Sequence, residues 1–494
     1  MRSRFRFPAS FGAFLALGSV AMAGPWAEVG DAQLRSDVEV AAAAGLLDNV
    51  TMQWPIPWTG ILGNLQDEKK IDALPDYVRE ASERLLARGR YDVHLHHARA
   101  EVSIDYTSSP SVVRGFDGLG RATFESRASY EYVSKDTAIR LSLGAKKGRE
   151  TDRQTLVLDG SYVAHRIDGM VVYAGYMTHW WGPGWVSALA LSNNARPIPQ
   201  VGFSRVYTDP SDWWLLSWMG PWQVEGFVGV LNGPRTARNT IYNGLRVAFS
   251  PIDHLEVAVS RTDQMCGSGH PCNPLKGYFN LMNQDSDVNI VNDQGTIDIR
   301  YSDSFGTWAY EFYTQFMNED SSPVIHSGTS HLVGGSIWLP FEAGVGRLTV
   351  EYADSVATRD IWGGGIFHGF SYNNWDYPDG MRYRGRTLGF SLDSDSRLLS
   401  ILAVFTDKRN TEYSLTLHHA EISSGQISAT PSTWTNVVTT APIIANIVQA
   451  RVAVPFNFQD TRLRLEIEGR VQDDQPRPHR GALAAVEVRV TFGL

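Results

Sequence analysis

Two cysteines in 494 residues, Cys266 and Cys272, are too few to staple a scaffold together, so this fold must hold by burial and hydrogen bonding. After the first 23 residues no run of 18 or more apolar residues occurs, which excludes a transmembrane helix. Basic charge is in deficit, with 44 Lys and Arg against 53 Asp and Glu. No basic stripe offsets that balance, so nucleic acid is excluded as a partner. There is no P-loop, no dinucleotide fingerprint, no HExxH and no Ser/His/Asp arrangement that stands out. The expectation is therefore a protein that is not an enzyme and that carries no cofactor.

What is present is glycine (45), tryptophan (15) and tyrosine (19), at a mean hydropathy of −0.21. The chain opens with Arg2, Arg4 and Arg6, an apolar stretch, and Ala21-Met22-Ala23. This reads as a signal peptide over residues 1–23, cleaved before Gly24; as a membrane anchor the apolar run is short. Losing three arginines and no acids takes the net charge from −9 to −12. In an exported chain the segment CGSGHPC is expected to close a Cys266–Cys272 disulfide. A zinc site using His270 is the rival, but a fourth ligand is not apparent and no metal is expected.

The mature chain begins with helical spacing. Asp31 caps a helix through LRSDVEVAAAAGLL, with Leu34, Val38, Ala41 and Ala42 on one side. A turn-rich link follows at Met52–Gly60, and a second helix at Asp76–Arg88 is expected to stop at Gly89. Residues 24–90 thus form a small helical region. From about Val93 the period changes from 3.6 to 2 and stays there. Ala98, Ala100, Val102, Ile104 and Tyr106 alternate with charged and polar residues. So do Leu156, Leu158, Gly160, Tyr162 and Ala164; Trp308, Tyr310, Phe312 and Phe316; and Val486, Val488, Val490 and Phe492.

A soluble sandwich and an outer-membrane barrel both explain such alternation. Four features favour an all-β transmembrane barrel over residues 91–494. Many runs reach about ten residues, the length of a membrane-spanning strand. Aromatics (Tyr106, Trp222, Trp308, Trp338) sit toward strand ends, where interfacial girdles form. The chain closes on an alternating strand. Arg462, Arg464, Glu466, Glu468 and Arg470 share one face, as in a salt-bridged lumen wall. There are 18 or 19 candidate strands, Val201–Tyr207 being the weakest, and the preference for even numbers gives 18 antiparallel strands. Long connections at 264–294, 355–384 and 421–444 read as extracellular loops.

One stretch fits no regular element: HWWGPGWVSALALSNNARPIP, His179 to Pro199. It holds Trp180, Trp181 and Trp185, with Gly182, Pro183, Gly184 and Pro197 as breakers. Irregular backbone cannot face lipid, because its polar groups would go unpaired. The segment is therefore expected inside the barrel as a plug, with Asn193, Asn194 and Arg196 meeting a polar wall. The W-GP-W…LS-NARP-P pattern, preceded by LRSDVEVAAAAGLL and WPIPW, resembles the Wzi family of capsule assembly proteins over nearly the whole mature chain. The resemblance implies an 18-stranded outer-membrane barrel with a periplasmic helical region. It also implies a lectin that anchors capsular or extracellular polysaccharide. A porin or substrate-specific channel is the alternative. Capsular polysaccharide and outer-membrane lipid are the expected partners, and the expected state is a monomer.

A sugar site needs aromatic faces and planar polar side chains. GFSYNNWDYPDGMRYRGR offers Tyr372, Asn373, Asn374, Trp375, Tyr377, Arg382 and Arg384, against the plainer reading of a loop packed on the barrel rim. Trp213, Trp214, Trp218 and Trp222 are better read as interfacial residues. His94 and His96 share a strand face, but no partner carboxylate accompanies them. Asp303, Glu311, Glu351, Asp354 and Asp393 read as lumen or loop residues.

Overall fold

A computed structural model describes residues 26–94, 98–148, 154–273, 290–319, 326–424, 436–458, 461–476 and 483–493. The signal segment, His96 and His97 lie outside the described residues. Among the described residues no helix is long and apolar enough to cross a membrane.

Residues 98–493 form one closed antiparallel barrel. Its first strands are β1 (Ala98–Thr107), β2 (Phe124–Val133), β3 (Thr137–Lys147), β4 (Leu156–Val157, resumed at Tyr162–Ile167), β5 (Met170–Gly175) and β6 (Gln200–Arg205). They continue as β7 (Trp222–Leu231), β8 (Thr240–Ile252), β9 (Leu255–Met265), β10 (Val291–Phe305), β11 (Trp308–Glu319) and β12 (His326–Phe341). The last six are β13 (Gly344–Asp360), β14 (Arg397–Asp407), β15 (Glu412–Ile422), β16 (Ile443–Phe458), β17 (Thr461–Gln475) and β18 (Leu483–Gly493). β18 pairs with β1, Val488 opposite Tyr106, and the ring closes. The expected count of 18 holds, and the weakest candidate strand is β6.

Every strand sorts its residues by face. On β10, Asn292, Gln294, Thr296, Asp298, Arg300 and Ser302 are buried, while Ile299 and Tyr301 are exposed. On β11, Glu311 and Gln315 are buried and Phe312 is 64% exposed. Polar inside and apolar outside inverts the soluble pattern, and only a lipid surround makes it stable. The expected lumen wall is present: Arg464 and Arg451 bind Glu466, and Arg470 faces Glu468. Tyr106 and Trp308 point outward near opposite ends of their strands. Trp338 departs from the expectation. It shares parity with Leu332 and Ser336, so it points into the lumen and its indole donates to Ser36 Oγ at 2.8 Å.

The alternation expected through 156–164 also breaks. Leu156 is exposed, but Tyr162 and Ala164 are buried. Gly160, at φ +84°, turns the chain over and reverses the faces; the Ser161 hydroxyl fills the ladder gap by donating to the Ser142 carbonyl at 2.8 Å.

Among the described residues, four helices precede the barrel: α1 (Ala32–Ala43), α2 (Trp58–Asn64), α3 (Glu68–Asp72) and α4 (Asp76–Asp92). Asp31 caps α1 by accepting from the Leu34 N–H at 3.0 Å. The expected link at 52–60 contains the start of α2. Helix α4 runs through Gly89 rather than stopping there. A Cβ at Gly89 would stand 2.7 Å from Leu62 and 3.0 Å from Trp58, so this glycine permits close helix packing. Helix α1 lies against β10 and β11. One apolar cluster runs from Val38, Trp54 and Trp58 into Trp180, Trp185 and Tyr313. The helical region therefore shares a core with the barrel.

Candidate functional site

An 18-stranded barrel has room for an aqueous lumen. Here the lumen is filled from both ends. Helix α1 enters at the end where the short turns lie. From the opposite, loop end three connections fold inward among the described residues: 108–123, 176–199 and 368–396. The first and third were not foreseen as inward segments. The 355–384 loop of the sequence reading is instead the end of β13, a short hairpin strand at Gly363–Phe367, and the start of the third inward segment.

The Trp-Gly-Pro-Gly-Trp motif is buried inside the barrel. Trp180 and Trp181 are fully buried and pair with Trp54 and Gln53. Trp185 donates its indole N–H to Glu311 at 2.8 Å and its backbone N–H to Glu351 at 2.7 Å. Gln315 accepts from Leu189 N at 2.7 Å and donates to the Trp181 carbonyl at 3.0 Å. Wall side chains thus satisfy backbone that no ladder can reach. Pro183 and Gly184 leave their carbonyls to Arg35, which donates to them at 2.6 and 2.8 Å. A Cβ on Gly184 would lie 2.1 Å from the Ser187 carbonyl, so only glycine fits.

Buried charge holds α1 in place. Arg300 on β10 binds Glu39 and Glu256, and Glu256 accepts from the Thr51 N–H at 3.1 Å. Asp37 accepts from Arg84 at 2.6 and 2.9 Å, and burial pushes its carboxyl up to about 6 against that pull.

Asn193, Asn194 and Arg196 divide their partners. Asn193 donates to the Phe116 carbonyl at 2.8 Å and Asn194 to the Thr387 carbonyl at 3.0 Å, so both join inward segments rather than the wall. Arg196 does meet the wall, at Glu125 (3.0 Å), and also Asp159 (2.7 Å). Pro197 is buried beside them. Arg121 donates to the Asn193 carbonyl at 2.6 Å; burial, and next the nearby Arg196 charge, lower its pKa to about 10.

The residues expected to contact sugar separate into two sets. Tyr372, Asn373, Tyr377 and Arg382 are buried, which corrects their assignment to a ligand surface. Tyr372 donates its hydroxyl to the Leu189 carbonyl at 2.5 Å. Arg382 grips Asp393 at 2.8 and 3.0 Å and Asn373 at 2.9 Å. Aromatic and planar polar groups pack a plug as readily as they meet a sugar, and composition alone does not separate the two uses. Trp375 is 64% exposed, while Asn374 and Arg384 are half-buried at the surface. The Cys266–Cys272 disulfide is formed. Its loop clamps the third segment: His270 stacks on Tyr377 at 4.5 Å, and Tyr377 donates to the Cys266 carbonyl at 3.1 Å.

At the end with the helices, Trp213, Trp214 and Trp218 are exposed on the connection from β6 to β7. Thr208 there donates to Asp48 at 2.6 Å. His418 is buried and His419 exposed, on opposite faces. Among the described residues no group of three metal-type ligands gathers.

Lipid-facing strands around a lumen packed shut by its own loops define a plugged outer-membrane β-barrel. The family model for capsule assembly protein Wzi matches residues 101–467. The chain belongs to that family. The solved Escherichia coli Wzi structure superimposes with a TM-score of 0.78 at 21% identity, covering 94% of this chain and 98% of that one. That protein is described as an outer-membrane, carbohydrate-binding β-barrel involved in group 1 capsule assembly. A Klebsiella pneumoniae sequence, an uncharacterised 55.8 kDa protein in the cps region, is 25% identical over 338 residues. The match covers 67% of this chain and 65% of that relative, just under two thirds of its length.

Proposed function

We infer that the protein holds capsular or extracellular polysaccharide at the cell surface, as a lectin-like binder and not as a catalyst. The loop end faces outward, the helical region faces the periplasm, and a single barrel suffices. The observation that carries this reading is the filled lumen, closed by segments whose outer edges still present sugar-type groups. Trp362 is 89% exposed and Trp375 64% exposed, and Arg384 and Arg386 stand half-exposed on the same inward segment as Trp375. Indole faces stack on sugar C–H surfaces and guanidinium groups grip carboxylates. Membership of the capsule assembly family and the carbohydrate binding described for the Escherichia coli protein support it. A porin needs an open path, and the packed segments argue against one.

The test is to measure cell-attached against released polysaccharide in cells carrying the wild type, a deletion, or Trp362→Ala/Trp375→Ala. The double variant should release several-fold more polymer while its barrel reaches the membrane at wild-type level. Unchanged attachment in the deletion strain would overturn the reading.

A further inference from the structure

Between the first inward segment and the wall strands β13 to β18 lies a small cleft of about 80 Å³. That is room for a few hydroxyl-sized groups in an otherwise packed lumen, less than a whole drug-sized ligand fills. It is lined by polar groups, and most of them are satisfied inside the protein. Arg451 binds Asp117 and Glu466, and His418 sits between Ser400 (2.8 Å) and Gln449 (3.1 Å).

Two lining charges differ. Arg347 on β13 is 5% exposed, and its Nε and Nη1 are buried with no hydrogen-bond partner. Its guanidinium lies 3.4 Å from the ring centroid of Trp185, which fixes its plane without using its N–H groups. Glu412 on β15 is 4% exposed and lines the same cleft. Among the described residues neither makes a close ion pair, although the Glu412 charge acts on Arg347 and those of Arg451 and Arg464 act on Glu412. Burying a charge unpaired costs several kcal/mol unless something else satisfies it. A guanidinium and a carboxylate facing one cleft, with the hydroxyls of Ser414 and Thr416 also lining it, offer donors and acceptors together.

We propose that this cleft is a saccharide subsite that takes the hydroxyl-bearing edge of a single neutral sugar ring, whose hydroxyls accept from Arg347 and donate to Glu412. A simple anion satisfies Arg347 but not Glu412, and a cation does the reverse. A sugar hydroxyl both accepts and donates, so it serves both. Asp117, whose side chain is 34% exposed, marks where the covering segment meets solvent. The inference rests on the reading of the protein as a saccharide binder and adds a contact inside the lumen to the one at the surface.

The experiment is saturation-transfer NMR on the full-length protein in detergent micelles. The probes are the methyl glycosides of glucose, galactose and mannose, with glucuronate alongside. At least one neutral glycoside should give a signal absent from empty micelles. Glu412→Gln and Arg347→Lys should each weaken it about tenfold or more, which corresponds to about 1.4 kcal/mol. Glu412→Gln conserves shape, so it reads the site even where a change at Arg347 disturbs folding. No signal from any neutral glycoside, or wild-type affinity in both variants, overturns the proposal. Binding of glucuronate alone overturns it too, making the cleft an anion site. Polymer attachment to cells, measured in parallel, separates the two ideas. Attachment without glycoside binding removes only the lumenal subsite. Glycoside binding without attachment keeps the subsite and removes the surface role.

Discussion

Arg35 shows how much of this protein rests on single buried side chains. It is fully buried on α1, donates to two plug carbonyls, and lies 4.2 Å from the ring centroid of Trp185 and 4.7 Å from that of Phe116. Burial lowers its pKa, against the pull of Glu39 at 3.7 Å. Replacing it with methionine keeps much of the volume but strands the Pro183 carbonyl, leaves the Gly184 carbonyl only the Trp180 indole N–H at 3.0 Å, and weakens the charge balance around Glu39. Arg35→Met should therefore cost about 2–4 kcal/mol. It should be read as a lower unfolding midpoint in urea, with the barrel's strand content unchanged below the transition. A midpoint equal to the wild type would show that the helix and plug are not joined through this residue. In sequence Arg35 and Glu39 are an ordinary helical i, i+4 pair. Their burial depends on the lumen around α1, which no local pattern records.

At the scale of elements, strands were legible and the lumen contents only partly so. Period 2 identifies β1, β11 and β18 because each strand has a uniform environment on either face. Parity then sorts the residues, and Trp338 was misplaced only because its position near a strand end was weighed above its parity with Leu332 and Ser336. The segment at 179–199 was legible because its tryptophans, glycines and prolines suit no exposed element. The segment at 368–396 has the composition of a surface sugar loop, and its burial is decided by partners far away, Leu189 and Cys266 among them. The segment at 108–123 is short, and its deep contact, Phe116, is a single aromatic. These segments lock where Gly389 passes Leu189: Ser192 donates its backbone N–H to the Leu388 carbonyl at 2.8 Å and its hydroxyl to the Gly389 carbonyl at 2.6 Å. A Cβ at Gly389 would lie 1.8 Å from the Leu189 carbonyl. Gly389→Ala should push the two segments apart at a cost of about 1–3 kcal/mol. Faster tryptic cleavage at Arg384 and Arg386 in the otherwise intact barrel is the expected sign; a wild-type cleavage rate would refute the crossing.

As a whole molecule the protein is a lipid-facing cylinder whose inside resembles the interior of a soluble domain, with an apolar cluster ringed by buried ion pairs. A transport protein keeps a path through such a cylinder, while a surface binder has reason to fill it and to hold its outer loops rigid. The packing of α1 and three inward segments into one lumen is the central claim, and ion conductance tests it most directly. The purified barrel reconstituted in a planar bilayer should leave the membrane silent across the voltage range in which open porins conduct. Stable, porin-sized current steps from the wild-type protein would contradict the plugged lumen and move the function to transport.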